Sequence, residues 1–376
     1  MTRSVRPWCV AAALLCSGTA GAAAPPCPPF PSVTKVAPAP EWDAKFAGKH
    51  GWVGGDGAYS VVVGPRRVLW FFGDSLVGAV KDGGRRGSTM INNAVAVQSG
   101  RDADAVIRFV HGKTREGKPA ALFVPKEGEG WFWPQAAVLD GGRLFVFLPR
   151  LERGREKGVF GFRHVGQHLA VVANPDDGPA RWRVEQKEMP FVRLDEKRER
   201  SWGAAALAVG DHVYVYGYDE PRGKGIGRRR LTVARVPAGK LGDFSAWRFR
   251  REKGWSADAD DAAGFAAGMA TEFSVTPLPN GRGYVLVYTE NGLGERIVAR
   301  FARAPDGPIS APVLLYKCPE MAKDKGVFCY SAKAHAWAAS GDELIVSYCV
   351  NAWDFGRLFR DEKVYRPRFV RVTLRL

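Results

Sequence analysis

The segment DGAYSVVVGPRRVLWFFGD, residues 56–74, decides the fold, because its form recurs four more times along the chain. It has a polar or aromatic opening, a short strand, a turn that contains Gly64, and an apolar strand that ends on a polar residue. The later copies occupy residues 133–150, 202–219, 272–290 and 330–351. Repetition of one supersecondary unit is typical of propellers and solenoids.

Further strands follow each of these hairpins. The first copy continues with a third strand at Ala94–Val97 and a fourth, outer strand at Val106–Val110, and three later copies do the same. The fifth copy ends at Leu376 after its third strand, so we expect residues 32–36 to supply its outer strand. Four strands per unit, repeated five times, predict an all-β, five-bladed β-propeller whose ring an N-terminal strand closes. A β-sandwich is the alternative, and it predicts no fivefold repeat.

The N-terminal residues resemble a secretory signal peptide. Two arginines precede an apolar stretch, residues 8–15, that is too short to cross a membrane, and residues 20–22 form an A-x-A cleavage site. We expect residues 1–22 to be removed, residues 23–44 to form a proline-rich tether with the closing strand, and residues 45–376 to form one propeller domain. The predicted location is secreted or periplasmic, without a transmembrane segment.

Export to an oxidising compartment permits disulfide bonds. Four cysteines follow the predicted cleavage site: Cys27, Cys318, Cys329 and Cys349. The short spacing favours a Cys318–Cys329 bond, and Cys27 with Cys349 would then tie the tether to the last blade. The other two pairings and buried free thiols stay open as alternatives.

The net charge of +16 favours anionic partners through long-range attraction. The basic residues are dispersed, however, and no basic stripe interleaved with aromatic residues, as in nucleic-acid binders, occurs. We therefore expect a polysaccharide or oligosaccharide partner, which could be anionic, and no nucleic acid. We expect the protein to be a monomer.

The blades of a propeller bring two positions of each repeat to one face. The first strand of each blade starts, and the second strand ends, at the same mouth of the central channel, so the residues at these positions should surround one funnel. At the strand starts lie Asp56, Trp133, Trp202, Glu272, Lys333 and His335, and at the strand ends lie Asp74, Arg150, Asp219, Glu290 and Asn351. Tryptophan faces can stack on sugar rings. Glycoside cleavage needs one protonated and one ionised carboxyl, and a crowded acidic funnel can hold one carboxyl protonated.

Asp56 and Glu272 are the strongest candidates for this pair. Asp56 lies between glycines, which allow a ligand to approach the backbone closely, and Glu272 opens a strand that should face the channel. A carboxylate at a strand end is also a common turn residue, and Asp74 could simply bond its own turn. Residues 73–76, Gly-Asp-Ser-Leu, match the nucleophile block of GDSL esterases, in which Ser75 would attack an ester, but the sequence lacks the Asp-x-x-His of that family.

Several short blocks together resemble a family of secreted bacterial propellers, once classed as domains of unknown function, that contains endo-D-arabinanases. The blocks are Gly-Asp-Gly (55–57), Phe-Gly-Asp-Ser (72–75), Met-Ile-Asn-Asn (90–93), Thr-Glu-Phe-Ser-Val (271–275) and Tyr-Ser-Ala-Lys-Ala-His (330–335). The resemblance covers residues 45–376 and extends in architecture to five-bladed arabinanases, xylosidases and invertases.

The resemblance implies roles for four residues. Asp56 would be the base, Glu272 the general acid, Asp74 a residue that tunes a pKa or contacts the sugar, and His335 a channel histidine that contacts substrate or a central ion. In the five-bladed glycosidases the acid lies on the third blade, whereas Glu272 opens the fourth.

The sequence thus predicts a secreted glycoside hydrolase acting on an arabinan-like or acidic glycan, with inversion implied by the propeller resemblance. Asp56, Glu272 and Asp74 would be catalytic, and the other funnel residues would bind the glycan. The alternative is a non-catalytic glycan-binding propeller, and the third is a GDSL-type esterase. No cofactor or metal site is predicted, although a structural or central calcium ion is compatible with the resemblance.

Overall fold

The computed structural model describes residues 30–155, 158, 160–223, 227–338 and 341–376. The predicted signal peptide and Cys27 lie outside the described residues. The described chain is all-β, with antiparallel sheets and only short helices. Within these ranges, no helix is both long enough and apolar enough to cross a membrane.

The N-terminal third of the chain contains nine elements, four of which form the first large sheet. Its elements are β1 (Ser32–Pro38), α1 (Pro40–Lys45), β2 (His50–Gly55), β3 (Tyr59–Val62), β4 (Arg67–Phe72), β5 (Ser75–Ala79), β6 (Thr89–Ile91), β7 (Ala94–Ser99) and β8 (Val106–Val110). Strands β3, β4, β7 and β8 pair in that order. Strands β2, β5 and β6 form a smaller sheet that continues from it.

Four further sheets follow along the chain. After the hairpin of β9 (Gly112–Lys113) and β10 (Pro119–Ala120), the second sheet contains β11 (Trp131–Phe132), β12 (Ala137–Asp140), β13 (Arg143–Arg153), β14 (Phe162–Val172) and β15 (Val184–Glu188). The third contains β16 (Arg193–Leu194), β17 (Arg198–Val209), β18 (His212–Pro221), β19 (Arg230–Pro237), β20 (Arg248–Arg250) and β21 (Trp255–Ser256). The fourth contains β22 (Phe273–Pro277), β23 (Tyr284–Thr289), β24 (Arg296–Ala302) and β25 (Val313–Lys317).

The fifth sheet combines the two ends of the described chain. It orders β1 beside β28 (Pro367–Arg375), then β27 (Glu343–Ala352) and β26 (Val327–His335). The remaining helices are α2 (Pro319–Lys323) and α3 (Arg357–Arg360), with 3₁₀ turns at Pro179–Arg181, Phe244–Ala246, Ala259–Asp261 and Ala336–Ala338. The predicted third strand of every repeat and the predicted outer strands of the first four are confirmed, with ends shifted by at most three residues except for β14, which begins seven residues before its predicted start.

Glycine chemistry explains why the repeat folds as tight hairpins. Asp140 pairs with Arg143, so only Gly141 and Gly142 connect β12 to β13. Both have positive φ angles, +54° and +74°. A two-residue hairpin loop favours two consecutive residues with positive φ, because the twist of that turn matches the twist of the flanking strands. Glycine adopts positive φ angles without steric cost.

A channel of about 340 Å³ lies between strands of different sheets. It is lined by β3, β22 and β26, by residues 136–139, and by residues 204–208. Many of the lining residues are alanine, valine or serine, whose small side chains let the strands approach one another closely.

Strand β1 occupies the outer position of the fifth sheet. It runs antiparallel to β28, with Ser32 opposite Arg375 and Pro38 opposite Val370. Val33 and Val36 pack against the apolar core beneath this sheet. The N-terminal segment therefore covers an edge that would otherwise expose unpaired backbone groups.

Removing this strand should destabilise the protein. We expect deletion of residues 23–38 to lower the melting temperature by several degrees, because burying one valine side chain contributes roughly 1.5–3 kcal/mol. Differential scanning calorimetry measures the change. Deletion of residues 23–29 alone, which leaves β1 intact, is the control. Equal melting of the two truncated proteins would contradict a stabilising role for β1.

The cysteines correct one expectation. Cys318, Cys329 and Cys349 are buried free thiols in the structure, so the predicted Cys318–Cys329 bond is not formed there. The two thiols are nevertheless neighbours, since a hydrogen bond between them, together with burial, raises the pKa of Cys318. The short spacing correctly indicated proximity, and the alternative of buried thiols describes the structure.

Candidate active site

A cavity of about 470 Å³ opens where the predicted funnel residues converge. Its walls include residues that precede the innermost strands and residues at the ends of the second strands. They contain four carboxyl groups and a set of aromatic side chains: Asp56, Asp74, Glu199, Glu272, Trp133, Phe160, Phe162, Tyr218, Phe328, Tyr330, Phe355 and Tyr365. The cavity is thus a pocket with acidic groups and aromatic walls.

Asp56 and Asp74 lie between two antiparallel ladders. Gly55 pairs with Ser75 on one side of them, and Tyr59 pairs with Phe71 on the other. The amide of Gly73, the residue before Asp74, donates to the Asp56 carbonyl at 3.1 Å. Both carboxyls line the cavity, and the charge of Asp74 raises the pKa of Asp56. The two carboxyls therefore form an electrostatically coupled pair, the Asp56–Asp74 dyad.

The surroundings of Asp56 favour its protonated form. Burial raises the pKa of Asp56 to about 8, and the charges of Asp74 and Glu272 add to the shift. Two phenols oppose it, since Tyr330 and Tyr365 donate to Oδ2 of Asp56 at 2.5 and 3.3 Å. Because Oδ2 accepts both phenol hydrogens, the carboxyl proton belongs on Oδ1.

Asp74 is held by donors from two other segments. Burial raises the pKa of Asp74 to about 6, and hydrogen bonds from Trp133 and Asn92 restrain the rise. The Trp133 indole and the Asn92 amide both donate to Oδ1, at 2.8 and 3.1 Å. Between about pH 6 and pH 8 the dyad therefore holds an ionised Asp74 beside a protonated Asp56. Such a divergence of two carboxyl pKa values is the pattern of an acid–base pair.

Glu272 belongs to a different electrostatic unit. Its Oε1 accepts a hydrogen bond from Ser331 at 2.9 Å and lies 3.7 Å from Nζ of Lys333. Lys333 is almost fully buried and lies over the ring of Tyr59, and burial lowers its pKa while Glu272 opposes the shift. An unpaired buried cation is costly, so Glu272 serves as the counter-ion of Lys333 as well as a wall of the cavity.

His335 lies deeper, on the channel wall. Its Nδ1 is 2.7 Å from the hydroxyl of Ser60, and its Nε2 is 2.8 Å from that of Ser347. Burial, with Lys333 nearby, lowers the pKa of His335 to about 3. Both nitrogens are thus occupied, and the described residues contain no group of three or more acidic, histidine or cysteine side chains suited to a metal ion. We derive no step through a central ion.

Four predicted sugar contacts lie elsewhere. Trp202 is fully buried in the core, and its indole donates to the Phe191 carbonyl. Arg150 bonds the Glu129 carbonyl, Asp219 is paired with Arg198 and Arg200, and Glu290 is paired with Arg296. These four residues do not line this cavity, and their predicted contacts with a sugar stay predictions. Asn351 and Trp133 do line the cavity.

The esterase interpretation is also not supported by the structure. Ser75 is fully buried. Its hydroxyl accepts from the Trp52 indole at 3.1 Å and donates to the Gly73 carbonyl at 3.0 Å. A nucleophilic serine needs an exposed hydroxyl and a base beside it, and Ser75 has neither its hydroxyl free nor a place on the cavity wall.

Sequence reasoning missed several residues of the site. Tyr330 and Tyr365 bind Asp56 directly, although Tyr330 opens the fifth repeat and could have been noted there. Glu199 also lines the cavity, at the start of β17. Burial would raise its pKa, but hydrogen bonds from His164 and Tyr218 hold it at about 2. No sequence pattern distinguished Glu199 in its charged segment.

Gly73 provides the space that Asp56 Oδ1 occupies. A Cβ at Gly73 would lie 2.7 Å from that oxygen. We expect Gly73→Ala to displace the Asp56 carboxyl and to shift its pKa, because the rise to about 8 depends on its burial and on its contacts with Tyr330 and Tyr365. NMR titration of the Asp56 carboxyl measures the shift, and Gly78→Ala, away from the dyad, is the steric control. An unchanged pKa of Asp56 in Gly73→Ala would contradict this packing.

Comparisons with known proteins place this geometry in context. The sequence matches, over residues 40–374, the family described as a domain of unknown function (DUF5005). No curated protein sequence matches it. The structure is similar to that of a proposed hydrolase from Bacteroides ovatus ATCC 8483, with a TM-score of 0.71, 18% identity and 90% of each chain covered.

Two further solved structures are more distant. One is an alpha-L-arabinanase of Cellvibrio cellulosa complexed with arabinohexaose, with a TM-score of 0.45, 14% identity, and coverage of 85% of this chain and 91% of that one. The other is an alpha-L-arabinofuranosidase of Podospora anserina in complex with cellotriose, with a TM-score of 0.47, 10% identity, and coverage of 87% and 92%.

Proposed function

This chain belongs to the DUF5005 family, and we propose that it is a glycoside hydrolase that cleaves an arabinan-like glycan with the Asp56–Asp74 dyad. The observation that carries the proposal is the pair of coupled carboxyls, Asp56 and Asp74, whose pKa values are raised to about 8 and about 6 in one aromatic-walled cavity. A protonated and an ionised carboxyl on the same sugar site are the two groups that glycoside cleavage needs.

We propose that the fold is a five-bladed β-propeller closed by β1. Five successive antiparallel sheets, the common channel between their innermost strands, and the pairing of β1 with β28 support this architecture. The propeller matters for function because it places the ends of ten strands around one mouth.

The proposed reaction retains the anomeric configuration. Asp74 attacks the anomeric carbon while Oδ1 of Asp56 protonates the departing glycosidic oxygen, and Asp56 then activates water that releases the sugar from Asp74. Retaining enzymes have carboxyls about 5–5.5 Å apart, whereas inverting enzymes need about 6.5–9.5 Å. Asp56 Oδ1 lies 2.7 Å from the position that a Cβ on Gly73, the neighbour of Asp74, would take, and this closeness favours the shorter separation, in contrast to the inversion that the sequence predicts.

A neutral sugar is the favoured occupant at the point of cleavage. Four carboxyl groups line the cavity, and a uronic acid beside them would add a further negative charge. We therefore favour an arabinan-like furanoside over an acidic glycan. The signal peptide predicted over residues 1–22 supports a secreted or periplasmic location, where such polymers occur.

The test is hydrolysis of a panel of polysaccharides that includes D-arabinan and L-arabinan. Release of reducing ends, with NMR showing the anomer of the first product to be that of the substrate, is the expected result. Product of the opposite anomer would overturn the retaining mechanism. Binding of a glycan without release of reducing ends would overturn hydrolysis and favour the glycan-binding alternative.

A further inference from the structure

The mouth of the cavity carries an unusual share of the exposed apolar surface. Nine large apolar side chains of the described residues are exposed. Three of these, Phe160, Leu293 and Phe355, line the cavity, and Trp353, which is 50% exposed, lies in ring contact with its wall. An exposed apolar patch that adjoins a polar cavity is a common mark of a ligand-binding groove.

These side chains continue into the site through a row of rings. Trp353 packs on Phe328 with ring centroids 4.5 Å apart, and Phe328 lies 5.5 Å from Tyr330. Tyr330 donates to Asp56. The row therefore runs from solvent to the carboxyl dyad without interruption.

The backbone fixes the outer end of this row. Trp353 directly follows β27, and its amide donates to the Gly326 carbonyl at 3.0 Å. Phe328 and Tyr330 are two positions apart on β26, so both project to the same side of that strand. Rigid aromatic rings that are already positioned lose little conformational freedom when a ligand stacks on them.

We propose that the exposed rings of Trp353, Phe160 and Phe355 form an aromatic platform, supported by the buried Phe328, that binds sugar units of the substrate beyond the one that is cleaved. The inference rests on the proposed function and deepens it, because it makes the substrate an oligomeric chain that extends out of the cavity along this row. A glycan fits the platform because the apolar C–H faces of its sugars stack on rings while its hydroxyls stay in water. The continuity of the row with the dyad identifies the same glycan as the occupant, in preference to a protein or a lipid surface.

The test compares Trp353→Ala with wild type on arabinohexaose and on p-nitrophenyl arabinofuranoside. We expect KM for the hexasaccharide to rise about three- to tenfold, and kinetics on the aryl glycoside to stay within about twofold. Leu314→Ala is the matched control, because Leu314 is 39% exposed and lies on β25, away from the cavity. It should behave as wild type on both substrates.

Binding measured by calorimetry separates this inference from the proposed function. Arabinohexaose is titrated into Asp74→Asn and into Asp74→Asn with Trp353→Ala, so that turnover does not interfere. Weaker binding by the double variant supports the platform even if wild type hydrolyses nothing, in which case the proposed function alone fails. Equal hexasaccharide binding by both variants, no binding by either, or equal losses on both substrates in the kinetic test would overturn the platform.

Discussion

Asp56→Asn should reduce hydrolysis of unactivated oligosaccharides by about 10²- to 10⁴-fold, because it removes the proton donor. Burial and the neighbouring charges raise the pKa of Asp56 to about 8, so the carboxyl holds its proton at neutral pH. An aryl glycoside with an activated leaving group needs little protonation, and its glycosylation step should be largely preserved. Steady-state kinetics on both substrates, with a burst of aryl alcohol measured separately, check the expectation.

Tyr330→Phe tests whether the pKa of Asp56 sets the alkaline limb of the pH profile. The Tyr330 hydroxyl donates to Asp56 and lowers its pKa, so its removal should raise the pKa further. Wild-type activity should fall as the pH rises through about 8, and in Tyr330→Phe this alkaline limb should move to higher pH. Full activity of Asp56→Asn on unactivated substrates, or an alkaline limb that stays in place, would show that Asp56 is not the acid.

The raised pKa of Asp56 in the wild-type protein also affects its stability. The folded state holds a proton on Asp56 up to about pH 8, whereas the unfolded chain releases it near the ordinary pKa of 3.8. The unfolded state therefore binds fewer protons between these values, and Asp56 makes the free energy of unfolding decline as the pH rises through this window. Asparagine cannot ionise, so Asp56→Asn should melt at a higher temperature than wild type at pH 8 while it has lost activity.

Asp74→Asn should eliminate hydrolysis of both substrate classes, with a loss on the order of 10⁴- to 10⁶-fold, as removal of a nucleophile does in other enzymes. The amide cannot form the glycosyl-enzyme bond. Azide should partly restore turnover of the aryl glycoside and give a glycosyl azide of inverted configuration, because it attacks from the side that Asp74 occupied. Product analysis by NMR provides the readout.

Glu272→Gln is the control that decides whether Asp74 or Glu272 is the partner of Asp56. Glu272 is the counter-ion of the buried Lys333, so its loss should lower stability more than the loss of Asp74 does. We expect Glu272→Gln to keep measurable activity on the aryl glycoside without azide. If Glu272→Gln is inactive and rescued by azide while Asp74→Asn keeps its activity, Glu272 is the partner of Asp56 and the dyad is wrongly assigned.

The acid limb of the pH profile offers an independent check on Asp74. Burial raises the pKa of Asp74 to about 6, and the Trp133 indole opposes the rise. Activity should therefore fall as the pH drops through about 6, since a protonated Asp74 cannot attack. Trp133→Phe removes the donor and should move this limb to higher pH.

The sequence by itself determined the all-β class, the five hairpins and the strand ends on which the carboxylates lie. These features are local, because alternation of apolar residues and paired glycines such as Gly141 and Gly142 specify a hairpin without reference to the rest of the chain. The sequence also placed Asp56, Asp74 and Glu272 in one site, because equivalent positions of a repeat lie at the same end of their sheets. All three residues line the cavity.

Only the tertiary structure decided which side chains face the cavity and which carboxyl holds the proton. Trp133 and Trp202 open equivalent repeats, yet the register of β17 shifts between Trp202 and Ala205, where Gly203 has a φ of +82°, and Trp202 lies in the core. One bulge changes the side to which a strand residue points, and sequence alternation does not reveal it. The pKa of Asp56 likewise depends on burial and on Tyr365, which is 309 residues away in the chain, so only the folded protein sets it.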